Sequence, residues 1–469
     1  KKNTWETYSS KQLKELEKIN AQYRDFLDNG KTERECIDTI VNTIEKSGYR
    51  ELESLIKEGA ALKTGDKVYS VWMNKSIAMF QIGRKPMTDG MNILGAHIDS
   101  PRLDVKQNPL YEDGGFAYLD THYYGGVKKY QWVTIPLAIH GVIVKKDGTC
   151  VEINIGENED DPVFFVSDLL IHLAQEQLEK KAAKVIEGEA LDIIVGNKPL
   201  LIDKKDKKKD EKEAGKEAVK AGVLDILKET YDIHEEDFVS AELEIVPAGK
   251  AREAGFDRSM TLAYGQDDRV CAYTSMQAML DSDVTDRTMC CILVDKEEIG
   301  SVGATGMQSH FFENAVAEVM NLAGEYSELN VRRCLAHSCM LSSDVSSAFD
   351  PTYASSFDKK NVAYLGSGMV INKFTGARGK SGSNDANAEY LAHLRHIFDK
   401  AEVNFQTAEL GKVDLGGGGT IAYILALYGM NVIDSGVAVL NMHAPWEIIS
   451  KVDLYEAYRG YIAFLKEQA

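Results

Sequence analysis

A short apolar run followed by two adjacent glutamates limits how this chain can fold. Residues 289–294 read Met-Cys-Cys-Ile-Leu-Val, and Glu297 and Glu298 come after the next two residues. The run is typical of a buried strand, whereas a carboxylate is almost never fully buried unless it is paired or binds a metal ion. Adjacent side chains on a strand also point to opposite faces. The glutamates can therefore share a site, one as a metal ligand and one as a proton carrier, only if the chain turns beyond the strand, which Gly300 permits.

The composition indicates a large globular protein with an acidic surface. The chain has 469 residues, of which 44% are hydrophobic and 27% charged, enough for two or three domains with a substantial core. Its formal net charge of −19 argues against nucleic acid and anionic membranes as partners, because both attract basic surfaces. No apolar stretch approaches the roughly 20 residues of a membrane helix. Residues 1–22 lack the apolar core of a signal peptide.

The use of cysteine indicates a reducing compartment. The seven cysteines are odd in number and show no CxxC spacing, and two of them lie inside the apolar run 289–294. Such cysteines usually serve as small core residues rather than disulfides. We therefore expect a cytoplasmic protein.

The order of apolar patterns predicts an α/β domain that is interrupted by an insertion. Residues 4–60 have helix-like spacing, and short strand-like runs occupy 68–93. After residue 252 strand-like and helix-like segments alternate to the end of the chain, which is typical of an α/β fold. We assign residues 1–105 and 251–469 to this domain.

The insertion, residues 106–250, is predicted to be rich in β structure. A Lys-Lys-Asp-Gly turn at 145–148 separates two strand-like runs, Ala138–Val144 and Thr149–Ile155, and this pattern predicts a hairpin. The run 203–220 consists mostly of Lys, Asp and Glu. Because it offers almost nothing to bury, we predict a solvated charged loop there.

Four strand-like runs end in side chains able to bind a metal ion. They are 91–96 before His97 and Asp99, 289–294 before Glu297 and Glu298, 335–341 before Asp344, and 436–440 before His443. A fifth candidate, Asp267, opens a helix-like stretch where an N-cap is expected. Sites in open α/β sheets form beyond the carboxyl ends of strands. We therefore expect these side chains to meet at one edge of the sheet.

Each candidate also has an ordinary structural interpretation. A lone His97 or His443 is more often a hydrogen-bonded histidine, Asp267 a helix cap and Asp344 a turn residue. Those interpretations do not explain why the residues follow apolar strands. Two histidines and three carboxylates without a thiolate suit Zn²⁺, Mn²⁺ or Co²⁺. A pair of ions also needs a bridging group and a base outside the ligand set, and Asp99 could orient the imidazole two residues before it.

These motifs resemble those of the M18 metallo-aminopeptidases, the aspartyl aminopeptidase family, in its bacterial branch. The matching segments are Gly95-Ala-His-Ile-Asp-Ser-Pro-Arg-Leu-Asp104, Asp267-Asp268, Glu297-Glu-Ile-Gly-Ser301, Ser343-Asp344 and Asn441-Met-His-Ala444. They occur in the family's order and span most of the chain. The first segment is specific to M18 enzymes, and the Glu-Glu-x-Gly element is shared by other co-catalytic metallopeptidases. The resemblance implies a central mixed sheet flanked by helices, of the co-catalytic zinc peptidase type, with the insertion mediating subunit contacts.

The resemblance also implies a role for each residue of the site. Two divalent ions are expected, with Zn²⁺ preferred over Mn²⁺ and Co²⁺. The implied assignment makes Asp267 the bridging ligand, His97 and Asp344 the further ligands of one ion, Glu298 and His443 those of the other, Glu297 the general base, and Asp99 the carboxylate behind His97. The expected reaction is removal of the N-terminal residue from peptide substrates.

Substrate recognition and assembly follow from the same resemblance. His172, in Asp168-Leu-Leu-Ile-His-Leu173, resembles a histidine that reaches a neighbouring active site, although by pattern alone it equally suits an amphipathic helix. Lys373 resembles a lysine on the substrate side, and the family name implies a preference for N-terminal Asp or Glu. The family implies a homo-oligomer, a tetrahedral dodecamer built from dimers. Two departures from the family pattern are Asp268, where many relatives have Asn, and the glycine-rich loop Gly416–Thr420, which could alter the specificity pocket.

Two other functions stay open on the sequence. A deacylase or carboxypeptidase of the same metal group is one, although such enzymes usually lack the His-Ile-Asp-Ser-Pro-Arg-Leu-Asp segment. A non-catalytic assembly or peptide-binding protein that kept the fold is the other, and it would not require both the ligands and the base.

Overall fold

The structure is a computed structural model, and it describes residues 3–201 and 217–467. The chain divides into two compact units. The first consists of Lys1–Ser100, Ala251–Met442 and Trp446–Ala469, and the second of Pro101–Lys250 with His443–Pro445.

Helices account for much of the first unit and for little of the second. The α-helices of the described residues are α1 (Ser10–Asp28), α2 (Glu33–Glu45), α3 (Leu52–Glu58), α4 (Gln175–Leu178), α5 (Ala182–Val185), α6 (Ala218–Tyr231), α7 (Gln266–Leu280), α8 (Phe311–Leu322), α9 (Glu328–His337), α10 (Ala388–Lys400), α11 (Ala422–Ala426) and α12 (Lys451–Lys466).

The strands belong to separate sheets in the two units. In chain order they are β1 (Arg50–Glu51), β2 (Lys67–Trp72), β3 (Ser76–Gln81), β4 (Met91–His97), β5 (Arg102–Asp113), β6 (Phe116–Tyr124), β7 (Leu137–Val144), β8 (Cys150–Ile155), β9 (Ile193–Gly196), β10 (Ala241–Pro247), β11 (Arg252–Ala254), β12 (Met260–Ala263), β13 (Thr288–Val294), β14 (Cys339–Ser342), β15 (Ser346–Ser347), β16 (Met369–Asn372), β17 (Phe405–Thr407), β18 (Asn431–Gly436), β19 (Ala438–Val439) and β20 (Glu447–Ser450).

A nine-stranded mixed sheet forms the centre of the first unit. Its order is β1-β2-β3-β13-β4-β14-β18-β16-β17. The four strands β13, β4, β14 and β18 are mutually parallel, whereas β3 and β16 run antiparallel to their neighbours in this block. Parallel neighbours place their carboxyl ends at the same edge. The predicted α/β class with a central mixed sheet is confirmed.

Both faces of this sheet are covered by helices, as the continuous apolar run of β13 requires. Leu293 packs in one cluster with Leu16 of α1 and Tyr461 of α12. Its neighbour Ile292 points to the opposite face and packs in a second cluster with Val316 of α8. Because successive side chains alternate in this way, every residue of β13 is buried.

Capping boxes fix the start of the first two helices. Ser9 accepts a hydrogen bond from the backbone N–H of Gln12, and the Gln12 side chain accepts one from Ser9. Thr32 and Glu35 make the same reciprocal pair before α2. Such pairs satisfy N–H groups that the helix itself leaves without partners. The amphipathic helices predicted between residues 4 and 60 are confirmed.

The second unit is built on a six-stranded antiparallel sheet with the order β8-β7-β10-β5-β6-β9. The predicted hairpin is confirmed: Val144 of β7 pairs with Cys150 of β8, and the Lys145 N–H donates to the Thr149 carbonyl. The charged run 203–220 lies outside the described residues as far as residue 216.

Three sequence predictions were wrong in detail. The predicted strand 335–341 begins as helix α9, which Ser327 caps and which continues to His337, so that only Cys339–Ser342 form β14. The run 436–440 is divided between β18 and β19, which belong to different sheets. Residues 218–220, predicted as the end of a charged loop, are instead the start of α6. The reason is a cap that is remote in sequence, since Glu112 accepts the N–H groups of the first turn at 2.8 and 2.9 Å.

Among the described residues, no helix combines the length and apolar character needed to cross a membrane.

Two glycines of the β7–β8 hairpin are predicted to respond differently to alanine. Gly141 has φ +137°, and a Cβ there would lie 1.9 Å from the Glu242 carbonyl oxygen of β10, whereas Gly148 has φ +88° and open space around it. Gly148→Ala should cost about 1 kcal/mol of backbone strain, and Gly141→Ala clearly more, because β7 and β10 must also separate. Amide hydrogen exchange of β7 and β10 measures the difference; equal loss of protection in both variants would contradict this account of the sheet.

Candidate metal centre

Three neighbouring parallel strands bring the predicted side chains to one edge of the nine-stranded sheet. His97 is the last residue of β4, Glu297 and Glu298 follow β13, and Asp344 follows β14. The ligand atoms of His97, Asp267 and Asp344 lie within 4.8 Å of one another, and so do those of His97, Glu297 and Glu298. The structure therefore gathers these residues, which are far apart in sequence, around one histidine.

The chain turns directly after β13, as the adjacent glutamates require. Glu297–Ile299 form a single 3-10 turn between Lys296 at φ +70° and Gly300 at φ +102°. The backbone N–H groups of Glu297 and Glu298 donate to the two carboxylate oxygens of Asp99, each at 3.1 Å. Asp99 thus fixes the turn that carries both glutamates, a contact that the sequence did not suggest.

Asp99 also holds the His97 ring, as expected from the spacing of the two residues. The Nδ1 atom of His97 lies 3.2 Å from Asp99 Oδ1 and 3.0 Å from the Asp99 carbonyl oxygen. Both oxygens are acceptors, so Nδ1 carries the proton and Nε2 is the nitrogen that faces the other carboxylates. Its distances are 3.2 Å to Asp267 Oδ1, 3.7 Å to Glu297 Oε2 and 3.8 Å to Asp344 Oδ1.

Asp267 does not cap α7, although its sequence position suggested a cap. Gly265 precedes the helix, and Asp267 and Asp268 have non-helical backbone angles. The Asp267 N–H donates to Glu447 Oε2 at 3.0 Å, and its carbonyl accepts from Ser100 Oγ at 2.7 Å. The backbone of Asp267 is therefore held from both sides, which leaves the carboxylate to face His97.

Three residues that support the centre were missed in the sequence as supports. Asp268 accepts the backbone N–H of His97 at 3.2 Å, and Glu447 and Ser100 hold Asp267. Ser100 lies inside the His-Ile-Asp-Ser-Pro segment, so the motif itself contained a signal. No sequence signal marks Glu447, because it is the first residue of a strand and reaches Asp267 through the β12–β20 pairing.

Negative charge dominates the electrostatics of the site. Burial raises the pKa of Asp344 well above its usual value, and the charges of Asp268 and Glu297 raise it further. Burial likewise raises the pKa of Asp268, with Asp267 adding to the effect and His97 opposing it. Burial alone would lower the pKa of His97, but the carboxylates of Asp267 and Asp99 outweigh this effect, so that its pKa is well above the usual value.

The donor set fits divalent metal ions. It combines an imidazole nitrogen with several carboxylates in a buried place, and clustered like charges of this kind are costly unless a cation offsets them. Oxygen and imidazole ligands without thiolate are the set expected for Zn²⁺, Mn²⁺ or Co²⁺. His97 and Asp267 each belong to two of the groups whose ligand atoms lie this close together.

His443 belongs to the short segment that is assigned to the second unit. Its Nδ1 atom lies 2.9 Å from the carbonyl oxygen of Gly126. A carbonyl only accepts, so Nδ1 carries the proton and Nε2 the lone pair, as a ligand needs.

The two residues predicted on the substrate side lie in different surroundings. Lys373 directly follows β16, and its ammonium group bonds to Asp385, which also accepts from Lys380 at 3.0 Å. His172 lies in the second unit, on an exposed 3-10 turn Ile171–Leu173. The alternative interpretation of His172, an amphipathic helix, is wrong, because the segment makes only this single turn.

The glycine-rich loop packs backbone against backbone. A Cβ at Gly417 would lie 2.1 Å from the Gly376 carbonyl oxygen, and Gly376 donates its N–H to the carbonyl of Gly418 at 2.8 Å. At the end of the loop, Thr420 donates to the buried carboxyl of Asp434 at 2.6 Å. The glycines therefore permit close approach between two loops of the first unit.

Comparison with known proteins agrees with this geometry. The model of the aminopeptidase I zinc metalloprotease family (M18) matches residues 26–465. The probable M18 family aminopeptidase 1 of Clostridium acetobutylicum is 63% identical over 464 residues, which are 99% of this chain and 98% of the relative. The protein with the same description from Thermotoga maritima is 43% identical over 468 residues, or 100% of this chain and 99% of the relative.

Solved structures show the same fold. The chain resembles the crystal structure of the M18 aminopeptidase from Thermotoga maritima with a TM-score of 0.92 and 43% identity, over 100% of this chain and 99% of that one. It resembles that of aminopeptidase I from Clostridium acetobutylicum with a TM-score of 0.90 and 60% identity, over 99% of each chain.

The chain belongs to the M18 family. It is therefore a hydrolase of the metallo-aminopeptidase class, and the resemblance that the His-x-Asp-Ser-Pro-Arg-x-Asp segment indicated is confirmed.

In this M18 aminopeptidase, Asp99→Asn should lower kcat/KM about 10–100-fold while the fold is kept, the range typical of residues that orient metal ligands. The amide retains one acceptor oxygen, so one of the two N–H groups of the Glu297–Glu298 turn loses its partner. Asp147→Asn is the matched control, since Asp147 also accepts a backbone N–H, at 2.9 Å, but in an exposed hairpin turn. Unchanged kinetics and zinc affinity in the Asp99 variant would show that this contact is dispensable.

Proposed function

We propose that this M18 aminopeptidase removes single residues from the N-termini of peptides with two divalent metal ions bound at the carboxyl edge of β4, β13 and β14. The buried cluster of carboxylates around His97 carries this proposal. Zn²⁺ is the proposed ion, in line with the description of the family, and Mn²⁺ and Co²⁺ suit the same donors.

The proposed ligands follow the contacts at His97. Asp267 would serve as a ligand of both ions, because its carboxylate lies 3.2 Å from His97 Nε2 and its backbone is held from both sides. His97 and Asp344 would be the further ligands of one ion, and Glu298 and His443 those of the other. The short loop that contains His443 supports its assignment as a ligand. Leu440 and Ile448 are hydrogen-bonded to each other, and Glu447, at the end of the loop between them, accepts the Asp267 N–H.

Glu297 is the proposed general base. Metal ions, when bound, lower the pKa of water and polarise the scissile carbonyl. Glu297 takes the proton of the attacking water and returns it to the leaving amine. Asp99 supports this role, because it holds the Glu297 N–H while its second oxygen holds Glu298. One carboxylate thereby sets the spacing of base and ligand.

Recognition of a free α-amine would separate this reaction from that of a deacylase or carboxypeptidase. An ammonium group is attracted to a cluster of carboxylates, and an acylated nitrogen is not. The match to the aminopeptidase I family model and to relatives described as aminopeptidases supports this reaction.

A preference for acidic N-terminal residues is proposed for the substrate side, with Lys373 as the recognising cation. Lys373 and Lys380 share the single carboxylate of Asp385. The three groups retain one net positive charge, which supports binding of an acidic side chain.

Assembly as a homo-oligomer is proposed, with His172 serving the active site of a neighbouring subunit. The 3-10 turn that carries His172 exposes Ile171 and Leu173, each at 68%, and exposed apolar side chains in one stretch are typical of contact surfaces. The S. cerevesiae mApe1 dodecamer has the same fold at 19% identity, with a TM-score of 0.74 over 95% of this chain and 96% of that one. A dodecamer is the proposed form, in the tetrahedral arrangement that the family resemblance implies.

A cytoplasmic location is proposed as well. All cysteines of the chain are free thiols, and all except Cys150 are buried. Thiols kept in this state suit a reducing compartment.

Glu297→Gln tests the base. The amide cannot accept the proton, so turnover should fall by about 10²–10⁴-fold, while metal content by elemental analysis stays at the wild-type value. Glu298→Gln is the comparison, since loss of a ligand should lower both metal content and activity. Wild-type kcat in the Glu297 variant would remove Glu297 from the mechanism.

A substrate panel tests the reaction itself. Peptides with a free N-terminus should be cleaved and the same peptides with an acetylated N-terminus should not, with N-terminal Asp and Glu preferred over Leu. Chelation should abolish the activity, and added Zn²⁺, Mn²⁺ or Co²⁺ should restore it. Cleavage of the acetylated peptides would favour the deacylase or carboxypeptidase alternative, and activity in excess chelator would refute the metal mechanism.

A further inference from the structure

A buried arginine, Arg269, links the two segments that carry the candidate ligands His97 and Asp267. It lies in the first turn of α7, two residues after Asp267, and is only 1% exposed. Its Nε donates to the carbonyl of Ile98 at 3.1 Å, and its Nη2 to the carbonyl of Lys31 at 3.0 Å. One rigid guanidinium therefore connects the start of α7, the end of β4 and the loop before α2.

The position of the Ile98 carbonyl affects the candidate metal centre, because Ile98 separates His97 from Asp99. On its other side, the Ile98 N–H donates to the carbonyl of Val294, the last residue of β13, at 2.8 Å. Ile98 is thus held by β13 through its N–H and by Arg269 through its carbonyl. A shift of this carbonyl would move the His97 imidazole relative to Asp267.

Gly265 creates the space that this arrangement needs. Its φ is +72°, and a Cβ there would lie 2.1 Å from Arg269 Nη1 and 3.2 Å from Ser100 Oγ. Ser100 is the residue that donates to the Asp267 carbonyl. A side chain at position 265 would therefore displace both the guanidinium and the hydroxyl that hold the two ligand segments.

We propose that Arg269 is a positioning residue that sets the separation of His97 and Asp267 and thereby the metal affinity of the centre. The inference rests on the proposed function, since it requires that these residues bind metal. Arginine suits the task because its planar fork donates in two fixed directions, to Ile98 and to Lys31 at once, and a lysine ammonium on a flexible stem does not.

Arg269→Lys is the direct test, with zinc affinity measured by competition against a chelator. The charge is kept and the fork is lost, so the dissociation constant for Zn²⁺ should rise about 10–100-fold, the range typical of residues behind metal ligands. The visible absorption of the Co²⁺-loaded protein should also change, because the ligand geometry changes. Gly265→Ala should shift both quantities in the same direction.

Lys451→Met is the matched control. Lys451 is also a cation that is 1% exposed in the first unit, but it pairs with Glu17 and Glu253. Its loss should lower stability and leave the zinc affinity of the folded protein unchanged.

Thermal unfolding with and without Zn²⁺ separates a loss of stability from a loss of zinc affinity in a destabilised variant. A ligand that binds only the folded state raises Tm by an amount that depends on its affinity. In the Arg269 variant the rise in Tm on adding Zn²⁺ should be smaller than in the wild type. If instead Tm falls equally with and without Zn²⁺, and the zinc affinity and the Co²⁺ spectrum match the wild type, Arg269 is only structural and the proposal fails. If the wild-type protein itself shows no rise with Zn²⁺, the proposed metal centre fails instead.

Discussion

The Asp99 carboxylate makes the interaction on which the rest of the site depends. Its oxygens accept the N–H groups of Glu297 and Glu298, and one of them also faces the His97 ring. The ends of β4 and β13 are thereby joined by a side chain that is fully buried. A buried carboxylate is stable only when its oxygens are satisfied. The apolar strands form a rigid framework, and Asp99 fixes the positions of His97, Glu297 and Glu298 on it.

The sequence was sufficient for the architecture of this edge because an apolar strand is a local signal and sites in open α/β sheets form beyond the carboxyl ends of strands. The apolar runs before His97 and Glu297 are strands β4 and β13, and parallel neighbours place their ends together. The run before Asp344 was read too long, because Ser327 starts a helix whose apolar spacing continues to His337. Apolar residues alone do not distinguish the last turn of a buried helix from a strand.

Contacts between distant segments could not be predicted in the same way. Glu447 binds the Asp267 N–H only because β20 pairs with β12, and the register of that pairing is a property of the folded sheet. The N-cap interpretation of Asp267 failed for a related reason, since Gly265 precedes α7 and Asp267 keeps a non-helical backbone that Glu447 and Ser100 hold. The M18 resemblance supplied the candidate residues, and the structure shows the contacts that hold them in position.

The surplus of acidic side chains argues for a catalytic centre rather than a structural one. A structural zinc site is closed by four protein ligands, often thiolates, and has no need of further carboxylates. Here Asp268 and Asp344 are buried beside Asp267, and the pKa of each is raised by burial and by neighbouring negative charge. Glu297 adds a carboxylate whose backbone is held in place but which the proposed ligand set leaves out. Such a group weakens the folded state, and the role proposed for Glu297 as the base accounts for its presence.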